Sequence, residues 1–355
     1  MDLGDQAKQT LKSYVPLIDK RIAKYLQSEM VQKFGFNLRQ KAMVQLILQH
    51  SQEYILRPTK RVRASFVNYG FSLSGKKVTE KVWQTAVGVE LVHAAILIQD
   101  DIMDLDDRRR GGPSTHRYFQ QKYNSTDHFG HSMAINVGDV LLCLGFELIE
   151  KSGSSPAMLQ MLRSVTNTAY GQAYDVSLES LGDWSENDVL TLHKAKTAIY
   201  TYENPLFIGA HLAALPEAVF RVLHDYAMDG GVAFQLRDDM LGVFGNPKDT
   251  GKSADSDLKQ GKVTLLVLYV LQHGTKAQID HLKKVWGNRF AQQADLLVAK
   301  QVIKASGSLD YSYKLTAQLA AKAAQTAAKL HKLKLNPQAI DYLQGVAHYM
   351  VKREV

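Results

Sequence analysis

Carboxylates are concentrated in one short segment of the chain. The stretch Asp100–Asp107 holds five aspartates in eight residues and directly follows an apolar run with helical spacing. If that helix continues, Asp100, Asp104 and Asp107 share one face, because they are spaced i, i+4 and i+7. Like charges on one face repel unless a cation holds them, and aspartate is a poor helix former. The segment is therefore either a solvated charge run at a helix end or one half of a cation site.

A second acidic pair lies inside another apolar helical run. Asp238 and Asp239 follow Gly230–Leu236, and Gln235 shares a face with Asp238 at i, i+3. Two carboxylate groups that emerge from apolar helices favour a hard cation between facing helices. Oxygen ligands favour Mg²⁺, which keeps waters and completes its shell with substrate phosphates. The sequence lacks the histidine or cysteine spacing that is typical of zinc sites.

Cations that could bind phosphate accompany these carboxylates. Lys60–Arg63 precedes a helical run, and Arg108–Arg110 closes the first acidic segment. Three lysines follow later, namely Lys196, Lys252 and Lys262. Arginine binds phosphate oxygens through two parallel N–H groups, whereas lysine acts as a point charge. His93 lies two helical turns before Asp100 on the same face. The triple arginine also has a plainer interpretation, as surface ion pairs with the neighbouring aspartates.

The elements that must position these groups are predicted to be helices. Apolar residues recur at helical spacing between breakers such as Ser72–Gly75 and Gly245–Pro247, and strand-like alternation is scarce. With 45% hydrophobic and 22% charged residues, the 355-residue chain can bury a large core. Since no composition shift marks a linker, we predict an all-α, single-domain protein over residues 1–355.

Charge and hydropathy exclude several classes of protein. The net charge of +8 favours anionic partners, but the cations are dispersed without interleaved stacking aromatics, which argues against nucleic acid. The most apolar run, Val263–Leu271, is half a membrane span, so we expect no transmembrane segment. We see no secretory signal. The single cysteine, Cys143, lies in an apolar run, so we expect a buried thiol and a cytoplasmic protein.

The motifs together resemble the trans-prenyl diphosphate synthase (polyprenyl synthetase) family, in a form similar to geranylgeranyl diphosphate synthases. Asp100–Asp104 followed by Arg109–Gly111 resembles the first aspartate-rich motif, and Phe234–Asp239 resembles the second. Three further stretches match in family order, namely Lys60–Arg63, Lys196–Ala198 and Gly251–Thr264.

The resemblance implies a fold and a reaction. The fold is an antiparallel helical bundle around a deep central cavity (the isoprenoid synthase fold), usually a homodimer. In the reaction an allylic diphosphate ionises, the double bond of isopentenyl diphosphate attacks the carbocation, and a proton is lost. Departure of diphosphate needs Mg²⁺ and cations prearranged around the developing charge.

The resemblance also assigns site residues. The Mg²⁺ ligands would be Asp100, Asp101, Asp104, Asp238 and Asp239. The allylic diphosphate would contact Arg109, Lys196 and Lys262, with Lys252 nearby. Isopentenyl diphosphate would be bound by Lys60, Arg63, His93 and Arg110. Thr197 and Gln235 would place oxygen dipoles near the carbocation and, with Lys196, form the catalytic set. Gln172 and Asp175 fit a further pattern on a facing helix.

Some residues depart from the family pattern. Gly242 stands where the second motif often has a third aspartate, so no metal role is assigned to that position. Pro58 and Thr59 replace two glycines before Lys60, which places the isopentenyl diphosphate pocket in question.

The length of the product can be argued from helix geometry. Ala95 and Ile96 lie about one turn before Asp100, where aromatic side chains in the family stop short products. Because Ala95 is small, we favour a C20 product (geranylgeranyl diphosphate) or a longer one over C15.

Three other functions stay open at this stage. The chain could be a catalytic or regulatory subunit of a hetero-oligomeric long-chain synthase. A terpene cyclase shares the first motif, but Lys60, Arg63 and the Asp238–Asp239 pair argue against it. Nucleic-acid binding is suggested by the net charge alone.

Overall fold

Helices make up nearly all of this computed structural model, which describes residues 2–31, 35–245 and 255–351. The predicted all-α fold is confirmed. The first helices are α1 (Leu3–Glu29), α2 (Leu38–Leu56), α3 (Val62–Ser72), α4 (Glu80–Met103), α5 (Thr115–Tyr123), α6 (Asp127–Glu150), α7 (Ser155–Leu181) and α8 (Glu186–His193). A π-helix (Lys194–Glu203) leads into α9 (Asn204–Leu212) and α10 (Glu217–Phe244). The remaining α-helices are α11 (Ser256–Gln260), α12 (Leu265–His273), α13 (Lys276–Val285), α14 (Gln293–Ala305), α15 (Ser308–Ala328) and α16 (Pro337–Val351). A short 3₁₀ helix (Lys329–Leu333) separates the last two.

A two-stranded hairpin interrupts the helices after the first acidic segment. Strand β1 (Arg108–Arg109) pairs antiparallel with β2 (Gly112–Pro113). The loop residues Arg110 and Gly111 have φ values of 50° and 83°, which is the left-handed pair of a tight two-residue turn. The hairpin therefore turns the chain sharply at the arginines of the first motif.

Local sequence explains where several helices begin and end. The Asn37 and Gln40 side chains form a reciprocal capping box that starts α2. Ser154 caps α7, whose first turn contains Pro156. The breakers expected near Ser72 and Gly245 coincide with the ends of α3 and α10. Helix boundaries here thus follow ordinary capping and breaker chemistry.

The helix that carries the first acidic segment lies deep in the bundle. Helix α4 packs against α6, α3 and α5 and is buried along most of its length. A Cβ atom at Gly88 would lie only 2.7 Å from the carbonyl oxygen of Gly145 on α6. The backbones of α4 and α6 are therefore in direct contact at this point.

The helix that carries the second acidic pair runs antiparallel to α15. The Lys322 Nζ atom lies 3.1 Å from Asp229 Oδ1, and the Arg237 guanidinium lies over the Tyr313 ring. Residue numbers therefore rise along α10 where the residue numbers of the contacting side chains on α15 fall. Helix α10 also contacts the π-helix, α8 and α11, so it lies against the segment that carries Lys196 and the helix that precedes Lys262.

Helix α6 presents part of its apolar surface outward. By length and composition it could span a membrane, but core helices pass the same test and α6 packs against α4, α5 and α7. The prediction of a buried Cys143 is wrong, because the thiol lies on an exposed face of this helix. Val140 and Ile135 are also exposed there. An apolar run does not by itself show which of its residues face the core.

Candidate active site

The first aspartate pair divides into an accessible and a buried carboxylate. Asp100 and Asp104 are partly buried at the end of α4. Asp101 is 0% exposed and accepts hydrogen bonds from the Tyr54 hydroxyl at 2.9 Å and from Arg109 Nε at 2.6 Å. Burial raises the pKa of Asp101 to about 6, although Arg109 acts in the opposite direction. Asp101 is therefore committed to neighbours inside the protein.

The second pair on α10 has the same division. Asp238 is partly buried, whereas Asp239 is 2% exposed. Asp239 lies 3.0 Å from Lys262 Nζ and 3.1 Å from His193 Nε2, and it accepts a 2.8 Å hydrogen bond from the Gln235 amide. Burial opposes the charged form, but Lys262 and His193 outweigh it and hold the pKa of Asp239 well below its usual value.

The π-helix joins the two acidic clusters. Lys196 Nζ lies 2.8 Å from Asp175 Oδ2 and 3.6 Å from Asp100 Oδ1. Its neighbour Thr197 donates a 2.6 Å hydrogen bond to Gln235 Oε1, on the side of the second pair. Burial opposes protonation of Lys196, but Asp100 and Asp175 raise its pKa, so it stays a cation. The predicted residues on α4, α7, the π-helix and α10 thus meet in one site.

The segment that carries Lys262 also reaches the first acidic segment. The Gln260 amide of α11 donates hydrogen bonds to the Asp104 carbonyl at 3.0 Å and to Asp106 Oδ1 at 2.9 Å. From α7, Gln172 Nε2 lies 3.5 Å from Asp104 Oδ1. Side chains from α11 and from α7 therefore both reach the first acidic segment.

A second group of cations lies beside these carboxylates. Arg63 Nη1 is 3.0 Å from His93 Nε2, and Arg63 Nη2 donates a 2.7 Å hydrogen bond to the Thr201 hydroxyl. Burial and the charges of Arg63 and Arg110 lower the pKa of His93 well below its usual value. His93 is therefore neutral, and the pocket around it is strongly positive.

The remaining members of this group lie on two loops. Burial and the nearby Arg61 charge lower the pKa of Arg110 to about 10, so its guanidinium is partly desolvated and crowded by like charge. The Lys60 ammonium lies 5.2 Å from the centre of the Tyr349 ring of α16. Both side chains are half-buried, as expected of a site that receives an anion.

Arg61 does not belong to this pocket. It is 2% exposed, and its guanidinium pairs with Asp19 at 2.7 Å and Glu90 at 3.0 Å and donates to the Ile55 carbonyl at 2.6 Å. These bonds anchor the Lys60–Arg63 loop from behind. They show how the loop is fixed although Pro58 and Thr59 replace the expected glycines.

Other predicted positions have different surroundings. Arg109 is buried and pairs with Asp101 and with Asp106 at 3.2 Å, and it lies 3.7 Å from Asp100. Ala95 is buried where α4 packs against α6, and Ile96 is half-buried. Lys252 lies outside the described residues.

The presence of glycine at position 242 has a clear steric reason. A Cβ atom there would lie 2.4 Å from Asp257 Oδ2. The carboxylate of Asp257, from α11, fills the space beside α10 that a side chain at position 242 would need. Asp257 in turn lies 3.9 Å from Lys262 Nζ.

Sequence reasoning missed three contacts of the site. His193 and Tyr54 each bind a buried aspartate, and Gln260 bridges the two faces. The position of Gln260, two residues before Lys262 in the last motif, is the one signal that could have identified it. His193 and Tyr54 lie in ordinary helical runs without such a signal.

Similarity to known proteins agrees with this geometry. A model of the polyprenyl synthetase family matches residues 44–305. This chain belongs to that family. As such, it is a prenyltransferase of isoprenoid synthesis, of the trans-prenyl diphosphate synthase type.

Individual relatives differ in the product they are named for. A geranylfarnesyl diphosphate synthase of Aeropyrum pernix is 35% identical over 68% of this chain and 73% of its own. A (2E,6E)-farnesyl diphosphate synthase of Mycobacterium bovis is 31% identical over 76% and 73%. The crystal structure of a geranylgeranyl pyrophosphate synthase from Corynebacterium glutamicum, complexed with isoprenyl diphosphate and magnesium, superposes with a TM-score of 0.87 at 27% identity, covering both chains fully.

The donor atoms of this polyprenyl synthetase site suit a divalent cation shared with substrate. In the part of the chain that the structure describes, no group of three or more His, Cys, Asp or Glu side chains forms a preassembled metal site. Mg²⁺ is commonly held by one or two carboxylates together with substrate phosphates. Asp100 on α4, Asp104 directly after α4 and Asp238 on α10 offer oxygen ligands with partial access to solvent, which fits that mode of binding.

Proposed function

We propose that this protein condenses isopentenyl diphosphate with an allylic diphosphate to give geranylgeranyl diphosphate (C20) or a longer product. The observation that carries the proposal is the position of Lys196. It lies between Asp100 on α4 and, through Thr197 and Gln235, the Asp239 cluster on α10. The π-helix thus connects two carboxylate groups and carries the Lys196 cation at the place where an anionic leaving group must be held.

Within each aspartate pair we assign different roles. Asp100, Asp104 and Asp238 would hold Mg²⁺, which supplies positive charge to a departing diphosphate. Asp101 and Asp239 would orient the site, because their oxygens already bind Tyr54, Arg109, Lys262 and His193. This replaces the expectation from the motifs that all five aspartates act as ligands. Arg109 would likewise support the first pair more than it contacts substrate.

The chain's own groups account for the other demands of the reaction. Lys196 and Lys262 stay protonated beside carboxylates, so they can stabilise the negative charge of the leaving diphosphate. Arg63 and Arg110 surround the neutral His93 and would bind isopentenyl diphosphate. Thr197 and Gln235 are fixed by their mutual hydrogen bond. They would place oxygen dipoles between the lysines that bind the leaving diphosphate and the isopentenyl diphosphate pocket. Water must be kept from the carbocation, which the apolar residues of the bundle would do.

The product length is proposed from α4. Ala95 lies in the contact between α4 and α6, one turn from the metal-binding carboxylates. Replacing it in Ala95→Phe should shorten the product toward C15, measured by chromatography of the dephosphorylated lipids. Far-UV circular dichroism controls for folding, since a larger side chain can overpack this contact. An unchanged product from the folded variant would refute the placement.

The assembled state is proposed to be a homodimer of single-domain chains in the cytoplasm. Exposed apolar side chains occur along α7 as well as α6, namely Leu159, Leu162, Tyr170, Tyr174 and Val176. Such surfaces commonly mark protein interfaces. The single Cys143 on α6 is a built-in reporter, since a thiol reagent should label it slowly at concentrations where sedimentation shows a dimer and quickly on dilution. Rapid labelling throughout, with a monomeric sedimentation coefficient, would exclude the dimer.

Turnover with defined substrates tests the proposal. Purified protein is incubated with radiolabelled isopentenyl diphosphate and farnesyl diphosphate, with and without Mg²⁺. A Mg²⁺-dependent C20 or longer product is expected. Absence of product with farnesyl, geranyl and dimethylallyl primers would contradict independent catalysis. It would favour the alternative, a subunit of a hetero-oligomeric long-chain synthase.

A further inference from the structure

Arg57 is a buried arginine that none of the recognised motifs contains. It follows the last residue of α2 and is 7% exposed. Its Nε and Nη2 atoms bind the two carboxylate oxygens of Glu53, at 2.9 and 2.7 Å. Its Nη1 atom donates to two backbone carbonyls, those of Arg109 and Pro113, each at 2.9 Å. Four of its five N–H groups are thus directed at fixed partners.

Both carbonyl partners belong to the hairpin that presents Arg110. Arg109 lies at the turn end of β1 and Pro113 at the open end of β2, so one guanidinium nitrogen ties the two strands together across the hairpin. Between the strands, Arg110 adopts φ 50°, a strained conformation for a non-glycine residue that persists only when its surroundings impose it. The bonds from Arg57 supply such a constraint.

The hairpin is built to receive this arginine. A Cβ atom at Gly112 would lie 2.4 Å from Arg57 Cζ, so only glycine leaves room for the guanidinium. The same guanidinium lies 5.0 Å from the centre of the Tyr54 ring, whose hydroxyl binds Asp101. Arg57 therefore touches the supports of the isopentenyl diphosphate pocket and of the first aspartate pair.

We propose that Arg57 is a positioning residue that sets the hairpin so that Arg110 faces the isopentenyl diphosphate pocket. This rests on the proposed function. Arg109 has its own side-chain anchors at Asp101 and Asp106, whereas Arg110 depends on the backbone of the turn. Loss of Arg57 should therefore impair isopentenyl diphosphate more than the allylic substrate.

The test is steady-state kinetics of full-length Arg57→Met. The KM for isopentenyl diphosphate should rise roughly tenfold or more, because small displacements of a binding group are costly. The KM for farnesyl diphosphate should change far less. Arg57→Lys keeps the charge but cannot reach both Glu53 and the carbonyls, so it should restore little. Arg117→Met is the matched control, since Arg117 also pairs with two carboxylates, at Asp107 and Asp127, outside the pocket. It should leave both KM values unchanged.

Hydrogen exchange separates failure of this inference from failure of the proposed function. Amides of the 106–114 peptide should exchange faster in Arg57→Met than in wild type, whether or not either protein turns over substrate. If Arg57→Met does not fold, Glu53→Gln provides a milder release of the same guanidinium and should show the same selectivity at smaller size. Equal changes in both KM values, or unchanged exchange of the hairpin in a folded variant, would overturn the proposal.

Discussion

The pairs Asp100–Asp101 and Asp238–Asp239 repeat one arrangement with different partners. In each, a partly buried carboxylate precedes one that is almost completely buried. Asp101 is held by a neutral tyrosine and by an arginine that also serves Asp106, and burial dominates its pKa. Burial opposes ionisation of Asp239 as well, but Lys262, His193 and the Gln235 amide together outweigh it and lower its pKa. Two consecutive aspartates therefore include a buried carboxylate that resists ionisation in α4 and a buried carboxylate that resists protonation in α10.

The largest expected effect is on turnover, and it comes from the accessible aspartate of each pair. Asp100→Ala and Asp238→Ala should each lower turnover by about 10³-fold or more, since each removes charge needed where diphosphate departs. Circular dichroism should show intact helices. Asp107→Ala is the matched control, because Asp107 lies in the same acidic segment but pairs with Arg117 on the surface. Wild-type-like turnover of Asp100→Ala would refute the metal assignment.

The buried members should differ from each other in stability. Asp239→Asn leaves Lys262 and His193 without their counter-charge and should lower the free energy of unfolding by about 3 kcal/mol. Asp101→Asn removes a carboxylate that burial already disfavours, and Arg109 keeps its pair with Asp106, so its cost at pH 7 should be clearly smaller. Urea unfolding followed by circular dichroism measures both. Equal costs would mean that the two partner sets are equivalent.

The pH dependence sharpens the same contrast. The folded pKa of Asp101, about 6, lies above its unfolded value, so the stabilising contribution of its protonated form is complete below about pH 4 and is lost as pH rises through 6. Between pH 4 and 7, wild type should therefore lose about 2 to 3 kcal/mol relative to Asp101→Asn. Asp239 has a lowered pKa, so its contribution is present above about pH 4 and lost on further acidification. The cost of Asp239→Asn should therefore fall when the pH is lowered below about 4, and an unchanged cost there would contradict the assignment.

The smallest effect concerns the space beside the second pair. Gly242→Ala should displace Asp257 and lower kcat/KM by about three- to tenfold, because a small shift near the reacting groups is costly. The Asp257 side chain can rotate, so stability should change by less than about 1 kcal/mol. Gly138→Ala is the control, since its Cβ would meet only ordinary contacts of 3.4 Å and longer. Equal kinetics for both variants would show that the space at Gly242 is dispensable.

The sequence predicted the helical fold and most of the side chains that come together in the site. Both predictions depend on short motifs and on helical spacing, which can be read from neighbouring residues. It did not predict which aspartate of each pair is buried. That depends on Tyr54 and His193, which come from other helices and whose positions follow from packing. The exposed Cys143 was missed for a similar reason, since an apolar run on a helix has more than one face and tertiary contacts choose between them.

The π-helix between α8 and α9 has an evolutionary consequence. Ten residues, Lys194–Glu203, follow its wider turn, and such segments are frequent at functional sites. Since each residue of an α-helix advances about 100° around the axis, deletion of one residue here would restore α-helical winding and rotate Lys196 and Thr197 away from Thr201. Most point substitutions along this segment preserve its winding, whereas a single-codon deletion would separate the two substrate pockets at once. We therefore expect length to be more strictly maintained than composition across these ten positions.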